Sequence, residues 1–142
     1  MKSLFLIVAL LIAFSSLASE FEWDVGSKRL ADIDCDGTPD ELLIGYTKTV
    51  FQLKVISSST KGPSTLNFGL GQPGKQAALC GTTVSIRLYE TDIDSIREEF
   101  GEVFEGYRSQ PGCFDINLSG GECDSINVFW NHNSKELNWW RR

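Results

Sequence analysis

The sequence predicts a mainly β, antiparallel, sandwich-like single domain with one short helix, and three observations carry that prediction. Apolar and polar residues alternate with the two-residue period of a strand in "VFQLKVI" (50–56) and "TVSIRLY" (83–89). Gly, Ser and Pro mark loops at 57–64, 69–75, 109–112 and 119–122, leaving only short runs between them. A single segment, "DSIREEFGEV" (94–103), carries a helix-start pattern, with Ser95 followed three residues later by Glu98. No linker and no long repeat interrupts the chain, so residues 19–142 are expected to form one domain around one core.

In chain order, the first segment is "MKSLFLIVALLIAFSSLAS". One basic residue (Lys2), an apolar run from Leu4 to Phe14 and small residues ending at Ala18 are the layout of a secretory signal peptide, residues 1–18. The run is short for a membrane span, and the first cysteine, Cys35, lies too far along to be lipidated after cleavage. The expectation is a periplasmic or secreted protein without a membrane anchor. Cleavage would remove Lys2 and no acid, taking the formal charge from -6 to -7, a balance that argues against a nucleic-acid partner.

"DIDCDGTPD" (32–40) follows, with four aspartates in nine positions. Asp32, Asp34 and Asp36 alternate, so three carboxylates can aim at one centre. Gly37 can take the positive φ of a sharp turn, Thr38 offers a backbone carbonyl, and Asp40 adds a further carboxylate. Such a set of hard oxygen donors suits calcium. The bland alternative is an acidic surface turn, which like-charge repulsion makes costly. An EF-hand would require a glutamate where Leu43 stands, followed by a helix, whereas "ELLIGY" reads as a strand. The loop instead resembles the calcium loops of FG-GAP and VCBS-type repeats, whose Asp-x-Asp-x-Asp-Gly-x-x-Asp pattern is matched by Asp32, Asp34, Asp36, Gly37 and Asp40. The resemblance covers about fifteen residues in a single copy. It implies the calcium chemistry of the loop, and the repeated blades of a propeller do not carry over.

Cys35, Cys80, Cys113 and Cys123 make an even set in an exported chain, which favours two disulfides over a metal site, since there is no C-x-x-C pair and His132 is the only histidine. Three pairings are open. Cys35–Cys80 with Cys113–Cys123 is the expected one, because the first bridge would pin the acidic loop to a sheet; the second requires a looped segment at 113–123 in place of a tight hairpin.

Further along, "GLGQPG" (69–74) matches G-x-G-x-x-G literally, but Pro73 and the lack of a following helix make it a loop. "TDIDS" (91–95) reads as the turn into the helix. His132, within "NHNSKE", reads as a solvated turn residue, and no G-x-S-x-G element accompanies it. Glu98 with Glu99, or Glu102 with Glu105, could act as paired acids, although charge on an exposed helix face accounts for them more simply.

The C-terminus reads as a hairpin turning at "NHNS". Parity places Ile126, Val128 and Trp130 with Leu137 and Trp139 in the core, and Phe129 and Trp140 on the opposite face. That face is either covered by the helix or a loop, or is a partly exposed patch rimmed by Arg141 and Arg142. In the second case Phe129, Trp140 and Arg142 would bind a protein or glycan partner. No catalytic set assembles in the sequence, so the expected function is a calcium-stabilised binding module, of inhibitor or immunity type. The alternative is a small secreted hydrolase using paired carboxylates or metal-bound water.

Overall fold

A computed structural model describes residues 20–142. The signal-peptide assignment, residues 1–18, therefore lies outside the described residues. Eight strands and one helix follow in the order β1 (Glu22–Ala31), β2 (Asp40–Tyr46), β3 (Val50–Ile56), β4 (Ser64–Gly69), β5 (Ser85–Glu90), α1 (Ile93–Phe100), β6 (Phe114–Ser119), β7 (Ile126–Asn131) and β8 (Glu136–Trp140). They form two four-stranded antiparallel meanders, β1-β2-β3-β4 and β5-β6-β7-β8, in which every strand pairs with its neighbour in sequence.

The two sheets share one core. The alternation in β3 buries Phe51, Leu53 and Val55, while β2 adds Leu42 and Ile44 and β4 adds Phe68. From the second sheet come Ile86, Ile116, Leu118, Ile126, Val128, Trp130 and Leu137. Trp139 meets Phe68 edge to face at 5.5 Å, and the Tyr46 hydroxyl accepts a hydrogen bond from the Val84 N–H at 3.0 Å. Both contacts tie one sheet to the other. The C-terminal register places Val128 opposite Trp139.

Both edges of the first sheet escaped the periodicity argument. In β1 the ladder breaks between Asp24, paired with Ile44, and Arg29, paired with Leu42, so five steps of β1 run against two of β2. The Ser27 hydroxyl fills the gap by accepting from the Ile44 N–H at 2.9 Å. Only Ser27 and Ala31 of the strand are buried, so no apolar alternation marks it. The bulge also blunts an edge that could otherwise template pairing.

The helix starts earlier than its sequence pattern suggests. Asp92, not Ser95, is the N-cap; its Oδ1 accepts from the N–H groups of Asp94 and Ser95 at 3.0 and 3.2 Å. The Ser95 hydroxyl instead donates to Asp92 Oδ2 at 2.7 Å. Gly101, at φ 77°, ends the helix before Val103, its N–H donating to the Arg97 carbonyl.

The disulfides are Cys35–Cys113 and Cys80–Cys123, which corrects the expected pairing. The start of β6 lies against the acidic loop, where the Phe114 N–H donates to the Asp32 carbonyl at 2.9 Å, bringing Cys113 to Cys35. The turn after β6 meets the 80–81 segment, where the Gly81 N–H donates to the Gly120 carbonyl at 3.0 Å, bringing Cys123 to Cys80.

The outer face of the second sheet is capped. Ile96 of α1, Tyr107 and Phe129 form a second buried cluster, with Ile93, Val103, Phe104 and Trp140 packed around it. Phe104 stacks on Phe129 at 5.5 Å, and Phe100 meets Trp140 edge to face at 5.0 Å. Phe129 keeps only 4% of its surface exposed. An open aromatic patch on Phe129, Trp140 and Arg142 is thereby corrected: Phe129 is core, Trp140 is half-buried, and the exposed Arg142 pairs with Glu99 at 2.9 Å.

Candidate metal centre

The acidic loop joins β1 to β2 across one end of the sandwich. Ile33, between two aspartates, is driven into the core, and that fixes the alternation of its neighbours. Asp32, Asp34 and Asp40 each present a carboxylate oxygen within 4.8 Å of the others. All three are buried, at 9%, 8% and 1% exposure. Asp36 is outside this cluster; it and Thr38 are both exposed, and Asp36 Oδ1 accepts from the Thr38 N–H at 2.7 Å, which holds the turn. The sequence thus named five candidate ligand residues, and three of them supply a shared cluster.

Backbone N–H groups and side-chain hydroxyls position these carboxylates. Asp32 accepts from the N–H groups of Asp36 at 3.1 Å and Gly37 at 2.8 Å. Gly37 reaches that position at φ 89°, a conformation costly for any residue with a Cβ. Asp34 accepts from the Asp36 N–H at 3.2 Å, from the Ser57 hydroxyl at 2.6 Å, and from the Ser59 hydroxyl. The two serines belong to "SSSTKGPS", a run the sequence marks only as a loop; no local signal links it to a loop more than twenty residues earlier. Cys35, itself at φ 60°, is held by its bridge to Cys113 and by Gln110, whose side-chain amide donates to its carbonyl at 2.9 Å.

Asp40 differs from the other two. Its Oδ2 accepts from the Ile33 and Asp34 N–H groups at 2.8 and 3.3 Å, but its Oδ1 is buried without any hydrogen-bond partner, alone among the buried side-chain polar atoms of the described residues. Burial pushes the Asp40 carboxyl above the usual range, the hydrogen bonds oppose that, and the charge of Asp34 adds to it. Two full charges 4.8 Å apart repel by ~3 kcal/mol at an effective dielectric of about 20. A bare oxygen on one member of a carboxylate cluster is what a cation would satisfy. With oxygen donors only, and Cys35 sequestered in a disulfide, the set fits a hard divalent ion better than zinc.

The loop also borders a cleft of about 390 Å³. Asp34 and Asp36 line it together with His132, Arg108 and Lys135. His132 is therefore more than a solvated turn residue: burial lowers the imidazole pKa and Arg108 lowers it further, against the pull of Asp34 and Asp32. On the opposite side of the second sheet, Glu102 and Glu105 line a groove of about 630 Å³ with Phe104 and Trp140, while Glu99 is engaged by Arg142. No helix among the described residues is long and apolar enough to cross a membrane. No protein-family model, curated protein or solved structure matches this chain.

Proposed function

We propose that this chain is an exported, calcium-stabilised binding module, its loop at 32–40 holding the ion as the FG-GAP and VCBS-type loops it resembles do. The observation that carries the calcium assignment is Asp40 Oδ1, buried and unpartnered on a carboxylate that clusters with those of Asp32 and Asp34. Two disulfides support an oxidising compartment, the periplasm or the exterior. A small frame cross-linked twice and braced by an ion is suited to act by occupying a partner, as an inhibitor or immunity-type protein does, with little reordering on binding.

The metal assignment is tested by thermal melting. Free calcium at about a hundredfold above its Kd adds ~2.7 kcal/mol to a native state that alone binds it, which raises the Tm of a domain of this size by roughly 10 °C. Asp40→Asn should abolish the rise, as should Asp34→Ala. Superimposable curves with calcium and with EDTA would reject calcium as the ligand.

A hydrolase is the second reading, supported by the shared groove of Glu102 and Glu105 beside Trp140. It requires that turnover of a chromogenic glycoside be lost in Glu102→Gln or Glu105→Gln. Equal rates in all three proteins would leave the binding module standing alone.

A further inference from the structure

The cleft beside the acidic loop is lined by side chains of both signs. Asp34 and Asp36 line it, with the hydroxyl residues Ser59 and Thr60. Arg108 joins them from the segment after α1, and His132 and Lys135 from the turn between β7 and β8. Trp130 also lines the cleft. The chain carries six more acids than Lys and Arg, so cationic side chains have many potential partners. Yet neither Arg108 nor Lys135 forms an ion pair among the described residues, whose salt bridges are Lys28–Glu41, Arg97–Asp94 and Arg142–Glu99. Two permanent cations are thus brought to one cleft from separate elements and left without a partner there. A volume of about 390 Å³ falls within the range of small-molecule sites.

We propose that this cleft binds a sugar-sized ligand carrying one phosphate or carboxylate group, the oxyanion held by Arg108 and Lys135, and that a cation in the acidic loop is required for tight binding. The inference rests on the metal reading above and deepens it. Asp34 belongs both to the carboxylate ring and to the cleft wall, so a cation in the ring lies one carboxylate from the cleft. Without the ion, the four aspartates of the loop repel an incoming anion. A divalent ion halves that charge and so weakens the repulsion, leaving Arg108 and Lys135 to hold the oxyanion, while the hydroxyls of Ser59 and Thr60 and the imidazole of His132 remain for the neutral part of the ligand. Coupling of this kind is reciprocal: the ligand must tighten calcium by the same factor by which calcium tightens the ligand.

The test is isothermal titration of the full mature chain with glucose 6-phosphate, galacturonate and glucose, each in saturating calcium and in EDTA. Expected is binding of at least one charged probe and not of glucose, about tenfold or more weaker in EDTA. Binding of the phosphate probe alone, or of the uronate alone, identifies the anion. The Arg108→Ala/Lys135→Ala double variant should lose probe binding and keep the calcium-dependent rise in Tm, which shows that it is folded and loaded. If calcium raises Tm but neither charged probe binds, the inference is overturned and the metal reading stands. A double variant that binds as tightly as the parent also overturns it. If calcium leaves Tm unchanged and a probe binds equally with and without it, the metal reading and the proposed coupling fall together.

Discussion

A half-buried carboxylate, Asp115, and a buried one, Asp40, set two regions of this molecule apart. Asp115, on β6 beneath the aromatic cap, and Asp40, at the acidic loop, both have pKa values raised mainly by burial. At the cap the demand is met from within: the Tyr107 hydroxyl donates to Asp115 Oδ2 at 2.6 Å and itself accepts from the Asp92 N–H at 3.1 Å. At the loop, Asp40 Oδ1 has no partner, and two more carboxylates crowd it. A satisfied buried group serves the fold, whereas an unsatisfied one among like charges calls for something the chain does not supply. The cap is accordingly closed by aromatic packing, while the loop keeps a buried carboxylate oxygen that a bound ion would satisfy.

That contrast can be broken first at the cap. Phe129 sits in the second cluster between Phe104 and Tyr107. Phe129→Ala should cost ~3–5 kcal/mol in urea unfolding, the scale of an aromatic removed from a core. It should leave the calcium-induced rise in Tm intact. A loss below about 1 kcal/mol would mean that the cap is not a packed layer.

At the loop the covalent brace is the next largest contribution. Replacing both Cys35 and Cys113 by serine opens a bridge spanning 78 residues and should cost ~2–4 kcal/mol. Unlike the cap variant, it should also weaken calcium, because the loop loses its tie to β6. Calcium affinity unchanged in the double variant would show that the backbone hydrogen bonds alone organise the site.

A pH series sharpens the comparison further. Burial lifts the Asp115 carboxyl to about 6, against the hydrogen bond from Tyr107, which pulls it down. Tyr107 is itself pushed well above the phenol range, by burial first and then by Asp115. A carboxyl raised on folding contributes stability that is complete below about pH 4 and is lost as pH rises through about 6. Relative to Asp115→Asn, the parent should therefore lose up to ~2 kcal/mol between those limits, read from urea midpoints. A constant difference across the window would show that Asp115 is ionised in the native state.

The smallest effect is expected at the rim. Arg142 is exposed and meets Glu99 at 2.9 Å. Arg142→Ala should change stability by no more than about 0.5 kcal/mol. A larger loss would make this ion pair part of what closes the cap.

Elements whose signal is local were legible in the residues alone. Alternation marked β3, β5 and the parity of the final hairpin, since burial on one face imposes that period on each strand separately. The alternation of Asp32, Asp34 and Asp36, with Asp40 beyond them, likewise announced a carboxylate cluster, because a turn of nine residues can converge its own side chains; that Asp36 stays out of it was not legible. Long-range packing set the rest. The edge strand β1 hid behind its bulge, where Ser27 and not an apolar residue completes the ladder. The disulfides were set by which loops the two sheets bring together, a matter of packing over tens of residues. Phe129 proved buried because Phe104 and Tyr107, more than twenty residues away in sequence, fold across it. Ser57, Ser59 and Arg108 reach the acidic loop for the same reason: contacts distant in sequence leave no periodic trace in it.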